Sequence, residues 1–419
     1  MPTRSLLSWF ATLAVAQAIS RSITSPNFTG LSEPNATLSA GKHATCVTGF
    51  VPIYAAASNT NFLFSGPANN FEATDIFIRY TQANSTIVED LTGSLTPVNG
   101  TFNIFSKLCY PSKSTTPPTT VQILTHGGTL DYTYWDIAPN NSYVDAAAME
   151  GSATFSYDRL GTGLSTRPDP IQVVQMAIQV DILHTLAQAL RTGRFGGHRF
   201  DKVVGVGHSI GAALSQGVTR LYPEDFEAVI LSGHSTSFAD AIVGAIGTGM
   251  QIANMDPSGR FTGLANGYFS LGSSISAHQF AFYKYPHFDL NIFNSQRAIS
   301  QCNIFGELWT LAQVYVPAPA FTGPVDIVNG QNDFFYCRGD CTYPVNEAAL
   351  ALSTFYPAAS NGSQVFLVPN TGHNINAHFG ASEAFNHILK FRPCNERREE
   401  RGEDVVGFAK FEGFILQLS

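Results

Sequence analysis

The stretch that decides the fold is KVVGVGHSIGAAL, residues 202–214. A β-branched run enters it and a helix-forming run leaves it, so Gly-x-Ser-x-Gly lies at a tight turn between a strand and a helix. Such a turn exposes the hydroxyl of Ser209, while Gly207 and Gly211 let neighbouring backbone pass closely. An ordinary glycine-rich turn can carry the same five letters. The strand before the motif and the helix after it favour a nucleophile at Ser209.

Short apolar runs that end in small or polar residues recur along the chain. They lie at residues 121–124, 153–157, 202–206, 228–231, 325–328 and 364–368. Buried parallel strands have this pattern, and the clearest helix between them, Ile171–Arg191, carries one apolar stripe. The alternation predicts an α/β fold whose mostly parallel sheet is covered by helices on both faces.

Two segments break this alternation. Between Cys46 and Leu108, strand-like stretches that include Asp75–Tyr80 and Phe102–Leu108 predict antiparallel strands at one edge of the sheet. Residues 235–323, about ninety in number, are too many for a connection and too apolar for a disordered linker. We predict that they form a mainly helical cap inserted over the carboxyl ends of the strands. A second structural layer away from the site is the alternative.

The N-terminus predicts secretion. Arg4 supplies a positive charge, Leu6–Ala14 an apolar segment and Ala16-Gln17-Ala18 a small-residue cleavage site, so residues 1–18 are predicted to be a signal peptide. An uncleaved anchor is the alternative, although the apolar run is too short to span a bilayer. Residues 19–45, rich in Ser, Thr, Asn and Pro, are predicted to form a loose, glycosylated lead-in.

Glycans and disulfide bonds are consistent with an extracellular location. The chain has Asn-x-Ser/Thr sequons at Asn27, Asn35, Asn84, Asn99, Asn140 and Asn361. Its six cysteines allow fifteen pairings, of which we favour Cys46 with Cys109 and Cys337 with Cys341, leaving Cys302 and Cys394. No Cys/His spacing fits zinc. The net charge of −8 and the absence of a basic patch argue against a nucleic-acid partner.

A serine hydroxyl needs a positioned base, and the base needs an acid that holds its tautomer. His373 is the candidate base because it follows Gly372 after the last apolar run. Its rivals are weaker: His208 lies in the turn itself, His234 comes too early in the chain, and His378 and His387 are predicted to belong to the last helix. A second Gly-His-Ser, at residues 233–235, has Ser237 in place of the second glycine, and no helix-forming run follows it directly.

Asp333 is the candidate acid, since it follows the run at residues 325–328 and an acid must approach from the carboxyl end of a strand. Asp326, inside that run, and Asp340, between the paired cysteines, are its rivals. The oxyanion of a tetrahedral intermediate needs amide donors. We expect them to be the N–H groups of Ile210 and of Gly128, in the His-Gly-Gly loop after the first parallel strand.

These motifs together resemble the α/β-hydrolase superfamily, and most closely the secreted hydrolases of filamentous fungi. The resemblance is carried by the Ser209 turn, His126-Gly127-Gly128, the stretch YDRLGTGLS at residues 157–165, and Gly372-His373. It implies an eight-stranded sheet with core residues 46–234 and 324–392, and Ser209, His373 and Asp333 as the catalytic triad. It also implies that Asp158-Arg159 is a structural feature beside the site.

The resulting prediction is a secreted serine hydrolase that cleaves a carboxylic ester or lactone of an apolar small molecule through an acyl-enzyme. No metal or organic cofactor is implied. The alternatives are an acyltransferase, cyclase or lyase on the same fold, or a binding protein without turnover. The tail at residues 393–419 is charged and then apolar, and we assign it no place in the fold.

Overall fold

The structure is a computed structural model that describes residues 26–391, except for the side chains at 238 and 239. The predicted signal peptide, the tail at 393–419 and Cys394 lie outside the described residues.

The strands and helices alternate along most of the chain. The strands are β1 Ser32–Leu38, β2 Ala44–Phe62, β3 Thr92–Pro111, β4 Thr120–Thr125, β5 Ala153–Tyr157, β6 Lys202–His208, β7 Ala228–Ser232, β8 Gln251–Ile252, β9 Tyr268–Ser270, β10 Asn303–Ile304, β11 Val325–Gly330 and β12 Gln364–Val368. The α-helices are α1 Asn70–Thr81, α2 Ile87–Leu91, α3 Tyr143–Met149, α4 Met176–Thr192, α5 Ile210–Leu221, α6 Phe238–Gly247, α7 Ile275–Phe282, α8 Leu290–Ile299, α9 Phe305–Thr310, α10 Phe334–Cys337, α11 Glu347–Phe355 and α12 Ala381–Leu389. Short 3₁₀ helices lie at Tyr132–Trp135, Ala253–Met255, Leu311–Gln313 and Ile375–Ala377.

The central sheet has nine strands within the described residues, in the order β1-β2-β3-β5-β4-β6-β7-β11-β12. From β5 to β12 the neighbours are parallel, and β1, β2 and β3 form an antiparallel edge. The mostly parallel sheet is therefore confirmed, but the expected eight strands are nine. The additional strand is β1, whose residues are almost all exposed and which pairs with β2 through backbone hydrogen bonds. The described part of the lead-in, predicted to be loose, thus contains an ordered edge strand.

Both faces of the sheet are buried, which is why its parallel strands have continuous apolar sequences. Val229 and Leu231 point into one core with the side chains of α4, whereas Ala228 and Ile230 point into a second core with those of α3 and α12. The predicted helix Ile171–Arg191 begins later than expected, at Met176. The preceding residues instead form turns, with Asp169 Oδ1 accepting from the backbone N–H of Ile171 at 2.8 Å.

The segment between β2 and β3 is where the sequence prediction was wrong. Asp75–Tyr80, expected to be a strand, lies in α1, whose first turn is capped by Asn69 Oδ1. The β-branched and aromatic residues favour a strand locally. In the structure these residues lie on a helix, and their side chains pack against distant parts of the chain. The ring centroid of Phe77 is 5.4 Å from that of Phe269, and the ring centroid of Tyr80 is 4.7 Å from that of Trp309.

Residues 235–323 contain α6, α7, α8 and α9 together with a small antiparallel sheet in the order β10-β9-β8. Side chains from this segment and from α1 line one cavity with Ser209, so both segments lie on the side of the sheet where the strand β6 ends. We keep the name cap for residues 235–323 and call residues 63–91 the insert.

Two disulfide bonds join Cys46 to Cys109, directly opposite each other on β2 and β3, and Cys337 to Cys341. Cys302 is buried and has no disulfide partner among the described residues. Of the helices within residues 26–391, none has the length and apolar character that a bilayer crossing requires.

Candidate active site

Ser209 lies at the sharp turn between β6 and α5. Its backbone has φ 55° and ψ −118°, a conformation that is strained for a residue with a side chain. Its N–H donates to the carbonyl of Ser232 at 2.9 Å, which ties the turn to β7. A Cβ at Gly207 would lie 2.3 Å from the carbonyl oxygen of Gly211, and one at Gly211 would lie 2.1 Å from that of Thr125. The turn therefore requires glycine at both positions.

The structure brings together the three residues predicted as nucleophile, base and acid. His373 Nε2 is 2.9 Å from the hydroxyl oxygen of Ser209, and His373 Nδ1 is 2.6 Å from Oδ2 of Asp333. His373 follows β12 and Asp333 follows β11, so each side chain comes from the carboxyl end of a neighbouring parallel strand. The arrangement allows the imidazole to accept a proton from the serine while the carboxylate holds Nδ1–H.

Asp333 is fixed by its own local structure. It is fully buried, and its Oδ1 accepts from the backbone N–H of Tyr336 at 3.0 Å, which caps α10. After α10 the chain turns back, and the N–H of Cys341 donates to the carbonyl of Gln331 at 2.9 Å. The Cys337–Cys341 disulfide closes this turn, so the loop that carries Asp333 is held by a covalent bond as well as hydrogen bonds.

The rival acids have other partners. Asp326 Oδ1 lies 3.1 Å from Nε2 of His387, in a second Asp–His pair on β11 and α12 whose aspartate is buried and whose histidine is partly exposed. Asp340 is exposed and accepts hydrogen bonds from the backbone and side chain of Thr342. Neither hydrogen-bonds to His373.

The rival histidines support the site without carrying its chemistry. His208 is buried, stacks on Tyr134 with ring centroids 4.6 Å apart and has Nδ1 3.1 Å from Ser232 Oγ. Burial, followed by the neighbouring His373, lowers the pKa of His208 well below its usual value, so its ring is neutral. His234 is held at 2.7 Å by the side chain of Gln216.

His378 is a positioning residue that the sequence prediction misplaced. It was assigned to the last helix, but α12 begins only at Ala381 and His378 ends the 3₁₀ helix before it. Its Nδ1–H donates to the carbonyl of Asn374, and its Nε2 accepts from the N–H groups of Gly372 and Lys284. These bonds hold both sides of the loop that carries His373.

The His-Gly-Gly loop lies against Ser209. A Cβ at Gly127 would be 2.9 Å from Cβ of Ser209, and one at Gly128 would be 3.1 Å from the side chain of Ile210. His126 fixes this loop, since Nδ1–H donates to the carbonyl of Gly127 at 2.8 Å and Nε2 accepts from the N–H of Arg159 at 3.0 Å. Gly128 and Ile210, the predicted oxyanion donors, line the same cavity as Ser209.

Arg159 connects this loop to the cap. Its guanidinium forms a fully buried ion pair with Glu307 of α9, and its Nη2 donates to the carbonyl of Gly127 at 3.3 Å. Burial lowers the pKa of Arg159 to about 10, which still leaves it charged at neutral pH. The resemblance implies that Arg159 is a structural feature beside the site, but no local pattern predicts its partner 148 positions away.

Ser209 lies at the wall of an apolar cleft. None of its described lining residues is charged, and most are aliphatic or aromatic. The cap contributes Ile242, Met250 and Trp309, and the insert contributes Phe77 and Tyr80. The insert residues were missed because their segment was predicted to be an edge strand, and only the contact with the cap places them here.

Tyr336 is a second neighbour of Ser209 that the sequence prediction missed. Tyr336 lines the same cavity as Ser209, its ring lies 5.3 Å from that of His373 between centroids, and its hydroxyl lies 2.6 Å from the hydroxyl of Tyr315. Burial raises the pKa of Tyr336 to about 12, so it stays protonated and can donate at neutral pH. The one sequence feature that could have indicated its role is its position three residues after Asp333, in the helix that Asp333 caps.

The model of the alpha/beta hydrolase family matches residues 122–387 of the chain, from β4 to the last helix. The chain belongs to this family. The matched region includes the turn with Ser209 and the loops with Asp333 and His373. The insert and the antiparallel edge precede it. The narrower likeness to secreted fungal hydrolases stays a prediction.

The solved structures to which this alpha/beta hydrolase is similar are distant from it in sequence. A thermophilic esterase from Thermogutta terrifontis is 16% identical, with a TM-score of 0.48 over 70% of this chain and 94% of that one. A bromoperoxidase from Bacillus anthracis is 16% identical, with a TM-score of 0.45 over 69% and 95%. An epoxide hydrolase from Vigna radiata is 13% identical, with a TM-score of 0.44 over 70% and 94%. No curated protein matches the sequence.

The described residues include no group of three or more His, Cys, Asp or Glu side chains arranged to hold a metal ion.

Proposed function

We propose that this alpha/beta hydrolase is a serine hydrolase that cleaves a carboxylic ester or lactone of an apolar small molecule through an acyl-enzyme. The observation that carries the proposal is the continuous chain of contacts from Ser209 Oγ to His373 Nε2, at 2.9 Å, and from His373 Nδ1 to Asp333, at 2.6 Å. This geometry lies within the range for proton transfer from a nucleophile to a base.

The reaction would run in two halves. His373 Nε2 takes the proton of Ser209 as Oγ bonds to the carbonyl carbon, and Asp333 stabilises the imidazolium that forms. The N–H groups of Ile210 and Gly128 would stabilise the oxyanion. His373 then gives its proton to the leaving alcohol as the C–O bond breaks. Water attacks the acyl-enzyme in the second half, again with His373 as base, and releases the acid.

The apolar cleft supports an apolar acyl group as the substrate part bound there. A cleft without charged lining residues offers no partner to an ionised substituent, whereas it removes alkyl or aromatic surface from water at about 25 cal/mol per Å². The residues of the cap and the insert that form the cleft would therefore select the acyl group.

We also propose that the protein is secreted, with residues 1–18 as its signal peptide. All six sequon asparagines, Asn27, Asn35, Asn84, Asn99, Asn140 and Asn361, are exposed, as glycan acceptors must be. The two disulfide bonds are of the kind that persists in oxidising compartments. Expression in a eukaryotic secretory host tests this: the protein should appear in the medium, start at Ile19 and lose mass on deglycosylation.

A fluorophosphonate probe tests the nucleophile. Wild-type protein should be labelled and should hydrolyse p-nitrophenyl butyrate, and Ser209→Ala should lose both while keeping its melting temperature. The matched control is Ser235→Ala, since Ser235 follows the same Gly-His pair but donates its hydroxyl hydrogen bond to Glu347. Labelling or turnover that survives in Ser209→Ala would exclude Ser209 as the nucleophile. Adding ethanol and analysing products separates hydrolysis from acyl transfer.

A further inference from the structure

Two cavities meet at Ser209. The first is the apolar cleft described above, which we call the acyl chamber. The second, which we call the polar chamber, is lined in part by residues of α7 and α8, among them His278, Gln296 and Arg297. Ser209, Gly128 and Phe282 line both chambers. The nucleophile is thus open to two spaces of different chemistry.

The proposed base, His373, lies beside only one of the two chambers. His373 lines the polar chamber and is not among the residues that line the acyl chamber, whereas Ile210 lines only the acyl chamber. In the proposed mechanism His373 Nε2 must hand its proton to the leaving oxygen, so the leaving group has to lie on the His373 side. The alcohol portion of an ester therefore belongs in the polar chamber, and the acyl portion in the other.

Charge in the polar chamber is of one sign. Arg297 is its only Lys or Arg among the described lining residues, and none of those residues is Asp or Glu. Burial, followed by the charge of Arg297, lowers the pKa of His278 to about 4, so His278 is neutral at pH 7. Arg297 is partly exposed, and Nη2 donates to the carbonyl of Ser273 at 2.6 Å, which uses one of its five N–H donors.

We propose that the preferred substrate is an ester whose apolar acyl group occupies the acyl chamber and whose alcohol carries a carboxylate or phosphate that Arg297 binds in the polar chamber. The proposal rests on the proposed serine hydrolase activity and adds the chemistry of the leaving group. A guanidinium recognises either anion through paired N–H donors, and an uncharged partner cannot replace that interaction.

The test compares two esters with one acyl group, 3-(butanoyloxy)benzoate and 3-(butanoyloxy)benzamide, in wild type and Arg297→Gln. The ratio of kcat/KM for the anionic ester over the neutral one should fall about tenfold in the variant, the factor expected for a charge-assisted hydrogen bond. Comparing the ratio between enzymes cancels the different reactivity of the two phenols. An unchanged ratio would overturn the proposal.

Three further arms keep the test specific. Arg260→Gln removes an exposed cap arginine that lines neither chamber, and its ratio should equal that of wild type. Phenyl hydrogen succinate, which carries its charge on the acyl side, should be a poorer substrate than phenyl butanoate in both enzymes. 3-(Butanoyloxy)phenyl phosphate shows whether phosphate or carboxylate gives the larger ratio.

A measurement on the native protein covers the case in which Arg297→Gln does not fold. In wild type, raising ionic strength from 0.01 to 1 M should lower kcat/KM for the anionic ester more than for the neutral one, because salt screens a partly exposed charge. Equal salt dependence of both esters would contradict the proposal. If neither ester is hydrolysed, the proposed function fails. If the neutral ester is hydrolysed and the ratios do not move, only the leaving-group assignment fails.

Discussion

Replacing Asp333 with Asn should change which ring nitrogen of His373 carries the proton, while leaving the rest of the structure almost unaltered. In the wild type, Oδ2 of Asp333 accepts from His373 at 2.6 Å, and Oδ1 accepts from the N–H of Tyr336 at 3.0 Å. An asparagine has only one acceptor, and the helix cap at Tyr336 takes it. Its NH₂ group then faces Nδ1 of His373, which must become an acceptor, so the proton moves to Nε2. A protonated Nε2 faces Ser209 and cannot take its proton.

The expected loss follows from that tautomer change. With the wrong tautomer, kcat should fall about ten-thousand-fold, equivalent to about 5.5 kcal/mol of transition-state stabilisation. Stability should change by less than about 1 kcal/mol, because the side chain keeps its shape and the cap of α10 remains. A large loss of activity without a loss of stability distinguishes this effect from unfolding.

The assay is hydrolysis of p-nitrophenyl butyrate together with the rate of fluorophosphonate labelling, which should fall in parallel. Asp326→Asn is the matched control, since it removes a buried carboxylate that lies on β11, the strand before Asp333, and is paired with His387 of α12. Its kcat should stay within about threefold of wild type, because this pair does not contact Ser209. Activity of Asp333→Asn within tenfold of wild type, in a folded protein, would refute the assignment of Asp333 as the acid.

Three other changes test the turn, the cap and the insert. Gly211→Ala places a Cβ 2.1 Å from the carbonyl oxygen of Thr125 and should cost about 2 kcal/mol in urea unfolding, with loss of labelling. Glu307→Gln leaves Arg159 buried without its counter-charge and should lower the free energy of unfolding by about 3 kcal/mol. Tyr80→Ala shortens the wall of the acyl chamber, so kcat/KM for p-nitrophenyl octanoate over acetate should fall about tenfold.

Each of these has a control in the chain. Gly362→Ala adds a Cβ whose nearest neighbour is 3.7 Å away and should leave stability within about 0.5 kcal/mol. The double variant Arg159→Met with Glu307→Leu should regain most of the stability, because it removes both buried charges. Tyr54→Ala, at an exposed position on β2, should not alter the octanoate-to-acetate ratio. If a control variant showed the same effect as the variant it is matched to, or if the double variant did not regain stability, the physical reason given for that change would be contradicted.

The sequence predicts the parallel part of the sheet well because each of those strands is buried on both faces. β5 and β12 match their predicted limits, and the other four differ at their ends by only one or two residues. The edge strand β1 has no such signal, since its residues are almost all exposed and backbone pairing alone holds it. Burial is visible in a sequence, and backbone pairing at an edge is not.

The same reasoning explains the candidate site. Ser209, Asp333 and His373 each follow a predictable strand, so their convergence could be expected from topology. Tyr80 could not, because its place depends on Trp309, more than two hundred positions away in the chain. Nor could the pairing of Arg159 with a glutamate of the cap. Contacts between the insert and the cap form only in the folded chain, and local propensity pointed to a strand.

The Cys337–Cys341 disulfide links the chemistry of the site to the place where the chain folds. Closing so short a loop contributes about 2 kcal/mol by chain entropy, and it does so next to the helix that Asp333 caps. A chain made in a reducing cytosol would carry two thiols there and a looser turn beneath the acid. The fraction of active molecules in a preparation would then depend on how oxidising the compartment was in which the chain folded. Titration of free thiols would measure the reduced fraction, and titration of the active site would measure the active fraction.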